Sequence, residues 1–219
     1  MAARVGVVLS GCGFQDGAEI HESVLTLLAL DRAGADVQCF APDVAQRRVV
    51  NHLTGQETGE VRNVLVESAR IARGEVKDLR EAAADDLDAL VLPGGFGAAL
   101  NLSDFAVKGP EGSVDPDLEK LLRAMHAAKK PIGAICIAPA VIAQALGAEG
   151  PTLTIGNDAD TAEAIQTCGA AHEACPVDAF VVDLENRIVS TPAYMLGPGV
   201  KDVAAGIEQC VAEVLRLVE

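Results

Sequence analysis

The chain has no tryptophan, one tyrosine and five phenylalanines in 219 residues. A core built on stacked rings is therefore excluded. Half of the residues are hydrophobic, so the interior must be aliphatic: Val, Leu, Ile and Ala. Positive charge is also scarce. Seventeen Lys and Arg stand against 32 Asp and Glu, a formal charge of −15. The longest basic runs are the pairs Arg47-Arg48 and Lys129-Lys130. Nucleic-acid binding draws on clustered Lys and Arg, so no nucleic-acid partner is expected. No apolar run reaches the length of a membrane-spanning helix, and no membrane partner is expected. The opening "MAARVGVVLSGCG" holds an apolar run of one strand's length, too short for a signal peptide, which points to the cytoplasm. Six cysteines (12, 39, 136, 168, 175 and 210) are too sparse for a disulfide scaffold and are expected to be reduced.

What is present is an alternation of short apolar runs and longer helical patterns. The length fits one domain over residues 1–219. Strands are expected at Val5–Leu9, Val37–Phe40, Ala89–Leu92, Ile132–Ile135, Leu153–Ile155, Phe180–Val182 and Ile188–Ser190. The first four are almost continuously apolar, as parallel strands covered on both faces are. Helices are expected over 19–33, 58–73, 116–129, 138–146 and 201–217, with one more opened by an Asp160/Glu163 capping box and ending near Cys168-Gly169. This order predicts an α/β fold, a mostly parallel sheet with helices on both faces. Ligands in such folds sit beyond the carboxyl ends of the strands. Three loops leave those ends here, after Leu9, Leu92 and Ile135.

"GAICIAPA", residues 133–140, carries the sharpest signal. Cys136 falls at a strand-to-helix turn with Ala134 and Ala138 two residues to either side. That is the small-x-nucleophile-x-small spacing of a nucleophile elbow. An arbitrary cysteine is a packed core residue; the turn, the small flanks and Pro139 argue for a nucleophile. The following helix would aim its N-terminus at the sulfur and lower the thiol pKa, and the Ile137 amide would face an oxyanion. "PGGFG", 93–97, follows another strand, and its exposed amides at Gly94 and Gly95 can hold an anion, with Gly95 the natural second oxyanion donor. The loop "SGCGFQDGAEIHE", 10–22, offers Asp16, Glu19 and Glu22 as carboxylates that could exchange a proton with the thiol, and the spacing does not choose among them. Cys12, Asn101, Asp158 and Tyr194 are further candidates to line a pocket. "CGAAHEAC", 168–175, matches no standard zinc spacing, so no metal is expected.

Taken together, "GVVLSGCG", "DGAEIHE", "VNHLTG", "LPGGFGAALNLS", "GAICIAPA" and "TPAYML" resemble the ElbB-type glyoxalases, in the PfpI-like branch of the class I glutamine amidotransferase superfamily. The resemblance covers essentially the whole chain. It implies a flavodoxin-like three-layer sandwich, a homodimer, and a cofactor-independent conversion of 2-oxoaldehydes to 2-hydroxy acids. It assigns the nucleophile to Cys136. It also assigns the partner carboxylate to Glu22, twelve residues before the glycine that closes the first helix, Gly34. Many relatives carry a histidine about twenty residues after the cysteine; Gly156 stands there, so Asp158 or a residue of another loop would have to replace it. A non-enzymatic alternative is redox sensing or a regulatory, chaperone-like role through an oxidisable Cys136. A glutaminase is less favoured: it would need a late His-x-Glu pair, and no histidine follows His172.

Overall fold

The computed structural model describes residues 2–218. Seven strands form the main sheet: β1 (Arg4–Val8), β2 (Asp36–Ala41), β3 (Val76–Asp78), β4 (Ala89–Leu92), β5 (Ile132–Ile135), β6 (Val181–Asp183) and β7 (Ile188–Thr191). Their order is β6-β7-β5-β4-β1-β2-β3, parallel throughout except for the β6–β7 hairpin. The fold is the expected flavodoxin-like α/β sandwich. The helices are α1 (Ile20–Arg32), α2 (Val64–Ile71), α3 (Phe96–Leu100), α4 (Phe105–Lys108), α5 (Pro116–Ala127), α6 (Ala138–Leu146), α7 (Ala159–Thr167) and α8 (Val200–Val218).

The continuous apolar strands are explained by burial on both faces. In β4, Ala89 and Val91 point to a layer with Leu30 of α1, Val64 of α2 and Val211 of α8. Leu90 and Leu92 point the other way, toward Ala98 of α3, Leu122 of α5 and Ile142 of α6. With so few rings, the interdigitation is carried by branched aliphatics, each fully buried one contributing about 1.5–3 kcal/mol.

The differences from the sequence reading have local causes. Asn63, whose side chain accepts from the Val66 amide, starts α2 later than residue 58. The α7 cap is Asp158, accepting from Thr161 N, and not the Asp160/Glu163 box. Thr152–Leu153 forms a strand outside the main sheet, paired with Ala171–His172. The edge strand β3 reads Val-Lys-Asp and carries no apolar run to betray it. Among the described residues no helix is long and apolar enough to cross a membrane.

After β1 the chain moves outward to β2 and β3, then returns to the other side of β1 as β4. The sheet order reverses there, and a crevice opens beyond the carboxyl ends. The loops after β1, β4 and β5 meet at that crevice.

Candidate active site

Cys136 opens the β5–α6 turn with φ +61°. A residue with a Cβ adopts that region at a cost of roughly 1–2 kcal/mol, and such strain gathers at functional sites. The turn is held by the Cys136 amide, which donates to the Thr191 carbonyl at 2.9 Å. Pro139 stands in the first turn of α6. The side chain is 7% exposed.

Glu22 lies in the first turn of α1 and is fully buried. One carboxylate oxygen, Oε2, accepts from the Gly94 amide at 3.0 Å; the other, Oε1, accepts from the Tyr194 amide at 3.2 Å. The carboxyl also faces the Cys136 side chain, and the two groups influence each other's titration. Burial first, then the nearby charge of Glu19, raises its pKa from 4.5 to about 8. Glu19 itself is the α1 N-cap, accepting from the Glu22 amide at 2.7 Å. The two carboxylates thus divide: Glu19 holds the helix end, Glu22 meets the thiol.

The thiol does not rest as the expected low-pKa thiolate. Burial and the charge of Glu22 push Cys136 well above the usual thiol value, against the pull of the Gly95 and Ile137 amides. The magnitudes explain the outcome. A helix N-terminus contributes at most about 2 kcal/mol, or about 1.5 pKa units, whereas full burial shifts a group by up to about 3–5. At neutral pH the protonated forms of both partners therefore dominate.

Raising a carboxyl's folded pKa has a consequence for stability. Between about 4.5, its ordinary value, and about 8 the folded state holds a proton that the unfolded chain has released. This contribution is full below the ordinary value and is lost as pH rises through the folded one. Wild-type Tm should therefore fall between pH 5 and 8, with Glu22 contributing on the order of a few kcal/mol. Glu22→Gln should flatten that part of the profile in thermal unfolding. Equal slopes in the two proteins would remove Glu22 as the cause.

The double glycine is a steric requirement. A Cβ on Gly94 would lie 2.5 Å from Cys136 Cβ and 2.7 Å from Glu22 Oε2. Gly95 has φ +91°, and a Cβ there would come within 2.4 Å of the Glu19 nitrogen and 2.5 Å of the Gly17 carbonyl oxygen. The amides of Gly95 and Ile137 both face the Cys136 thiol. Gly94 differs from its expected role: its amide is engaged by Glu22 and positions the carboxyl.

Above Cys136 opens a cleft of about 660 Å³. Its apolar wall is Phe14, Phe96, Ile137, Met195 and Tyr194, and its polar groups are Glu19, His21 and Thr161. Tyr194 is the expected pocket residue that the structure brings in. Ala193, at φ +43°, turns the chain so that the Tyr194 amide reaches Glu22. The "TPAYML" loop therefore clasps both members of the pair, through Thr191 and Tyr194.

Three expected pocket residues lie elsewhere. Cys12 is half-buried beside the charges of Glu67 and Arg70 on α2, and burial raises its thiol pKa. Asn101 braces loops, donating to the Ser10 and Asp16 carbonyls at 2.9 Å each and accepting from the Arg47 amide. Asp158 is spent on the α7 cap. It does not replace the absent histidine. His21, next to Glu22 on α1, has no role assigned from the sequence; its Nδ1 lies 2.7 Å from the Tyr194 hydroxyl. Only its place one residue before the chosen glutamate could have drawn attention to it.

The model of the DJ-1/PfpI family matches residues 12–189, a stretch that holds Glu22, the double glycine and Cys136. The chain belongs to the DJ-1/PfpI family. Among its relatives is the human protein named glutamine amidotransferase-like class 1 domain-containing protein 3, mitochondrial. It is 48% identical, over 99% of this chain and 84% of that one. The rat ES1 protein homolog, mitochondrial, is 45% identical over 98% and 84%. A crystal structure from Ehrlichia chaffeensis, described as an isoprenoid biosynthesis protein with amidotransferase-like domain, superposes with a TM-score of 0.94 at 40% identity, covering all of both chains. The expected cytoplasmic location is overturned by these names, because the human and rat relatives are called mitochondrial.

Proposed function

We propose that this DJ-1/PfpI protein converts 2-oxoaldehydes to 2-hydroxy acids, with Cys136 as nucleophile and Glu22 as its proton partner. The observation that carries the reading is the fully buried Glu22 carboxyl, raised to about 8 and set against the Cys136 side chain at the floor of an open cleft. A protonated acid beside a nucleophile suits an addition in which a carbonyl oxygen must gain a proton.

The Cys136 sulfur bonds to the aldehyde carbon as its own proton leaves, and the carbonyl oxygen becomes a hydroxyl, giving a hemithioacetal. The Gly95 and Ile137 amides stabilise the developing oxyanion. Glu22 gives and recovers the proton at that oxygen. The C–H proton of the same carbon then leaves while the neighbouring carbonyl takes one up, forming an enediol. Protonation of the neighbouring carbon, as the hydroxyl on the sulfur-bearing carbon gives up its proton, yields the thioester of a 2-hydroxy acid. Water cleaves it and restores the thiol. One carbon is oxidised and its neighbour reduced, so no external oxidant enters. The His21 imidazole, braced by the Tyr194 hydroxyl, is the basic side chain on the cleft wall suited to the later proton transfers.

A glutaminase is less well supported. The side-chain partner of Cys136 is a carboxyl, and glutaminase chemistry calls for an imidazole there. Redox sensing favours an accessible thiolate, and Cys136 is buried with its thiol pKa raised. The test is to incubate the purified protein with methylglyoxal, without glutathione, and follow lactate by NMR. Lactate formed in proportion to enzyme supports the reading; aldehyde loss without lactate refutes it.

A further inference from the structure

The chain contains six aromatic residues in all. Three of them, Phe14, Phe96 and Tyr194, line the one cleft above Cys136. Phe14 is 47% exposed and Phe96 49% exposed, although a chain so poor in rings would gain most by burying them. Exposed apolar side chains gathered around a reactive group mark a ligand site. The rings are held in place rather than left loose. Phe14 packs edge-on against His52, with ring centroids 5.5 Å apart, and the Arg48 guanidinium lies 5.5 Å from the centre of the Phe96 ring. Met195 adds an adaptable thioether to the same wall.

The size points the same way. At about 660 Å³ the cleft is more than twice the volume of those beside Arg80 and Arg4, about 240 and 280 Å³. It falls in the range of roughly 300–1,000 Å³ that accommodates ring-bearing ligands. A two- or three-carbon oxoaldehyde would fill a small part of it and leave both phenylalanines in water. Charge then limits what fills the rest. Among the described residues lining the cleft none is Lys or Arg, and Glu19 is acidic. A phosphate- or carboxylate-bearing substrate would find no Lys or Arg on the lining, and the Arg48 guanidinium behind Phe96 is already engaged by the Gln15 carbonyl and Glu57.

We infer that the preferred substrate of Cys136 is a 2-oxoaldehyde whose second carbon carries a neutral, ring-sized apolar substituent, seated between Phe14, Phe96 and Met195. The inference rests on the proposed 2-oxoaldehyde chemistry. It leaves the mechanism unchanged and assigns the remaining volume of the cleft to the substituent.

Initial rates of 2-hydroxy acid formation on methylglyoxal and phenylglyoxal test it, with Cys136→Ala as the blank that corrects for aldehyde lost to guanidinium groups. Wild type should prefer phenylglyoxal by about tenfold or more in kcat/KM, since even one methylene in an apolar pocket is worth roughly 10–200-fold. Phe96→Ala and Phe14→Ala should each shrink that ratio several-fold. Equal or faster turnover of methylglyoxal overturns the inference. A second arm does not depend on turnover. Binding of the unreactive ketones 2-hydroxyacetophenone and hydroxyacetone to the Cys136→Ala protein is measured by NMR titration. Tighter binding of the phenyl ketone, with shifts at the cleft, upholds the preference even if neither aldehyde is consumed, a result that would sink the proposed reaction alone. Equal binding of the two ketones overturns the preference, whatever the turnover.

Discussion

Cys136→Ala will lower kcat/KM on methylglyoxal by about a thousandfold or more, with the fold intact. Removing a nucleophile that forms a covalent intermediate leaves only binding and orientation to accelerate the reaction. The fold should survive because the turn is held by the Cys136 amide on Thr191 and not by the sulfur. Alanine also meets the positive φ at this position no worse than cysteine does. The measurement is steady-state kinetics beside a thermal melt. A variant that melts like wild type and still makes lactate at the wild-type rate would exclude covalent catalysis by Cys136. Cys136→Ser should fall nearly as far, because an alkoxide is harder to form than a thiolate beside Glu22.

Gly95→Ala is expected to have the largest effect on stability. The new methyl would meet main chain on two sides, the Glu19 nitrogen at 2.4 Å and the Gly17 oxygen at 2.5 Å. Neither is the end of a flexible side chain, so the loop after β1 or the loop after β4 must move. The positive φ of +91° adds strain of its own. Overpacking of this kind costs about 1–3 kcal/mol, and a backbone region that is essentially glycine-only adds roughly 1–3 more. For a chain of this size that corresponds to a Tm lower by about 5–15 °C. Activity should fall beyond the loss of folded protein, because the Gly95 amide faces the thiol. Differential scanning calorimetry and kinetics below Tm separate the two effects. A Tm unchanged within a degree would show that the loops yield freely and that the glycine is not a steric requirement.

Much of this site could be read from the chain before folding. Cys136 was marked by its elbow spacing and Gly95 by the strand before it, because both signals are local: a turn needs small neighbours wherever it occurs. Glu22 was different. Asp16, Glu19 and Glu22 are equivalent in spacing, and only the resemblance selected the last. The structure gives the reason, since Glu19 is used on the helix end while Glu22 points inward to Gly94, Tyr194 and the thiol. Asn101 and Asp158 look like site residues in the sequence, yet their side chains hold loops and a helix end. Side-chain polarity alone does not say which backbone group will claim it.

The role of His21 and the meeting of Tyr194 with Phe14 and Phe96 are not legible in the sequence, for another reason. Phe14, Phe96 and Tyr194 are separated by 82 and 98 residues of chain, and no periodicity links them. They meet because β1 and β4 lie side by side at the reversal of sheet order, while the loop after β7 reaches across to them. The sequence by itself determined the α/β alternation, the aliphatic core and the elbow cysteine, all set by patterns within about ten residues. Only folding settles which carboxylate meets the thiol, that burial outweighs the helix end in setting its protonation, and that the Cys136 sulfur lies beneath a large apolar cleft. Each of those depends on groups brought together across the sheet, and neither burial nor a distance between loops is a property of any one stretch of chain.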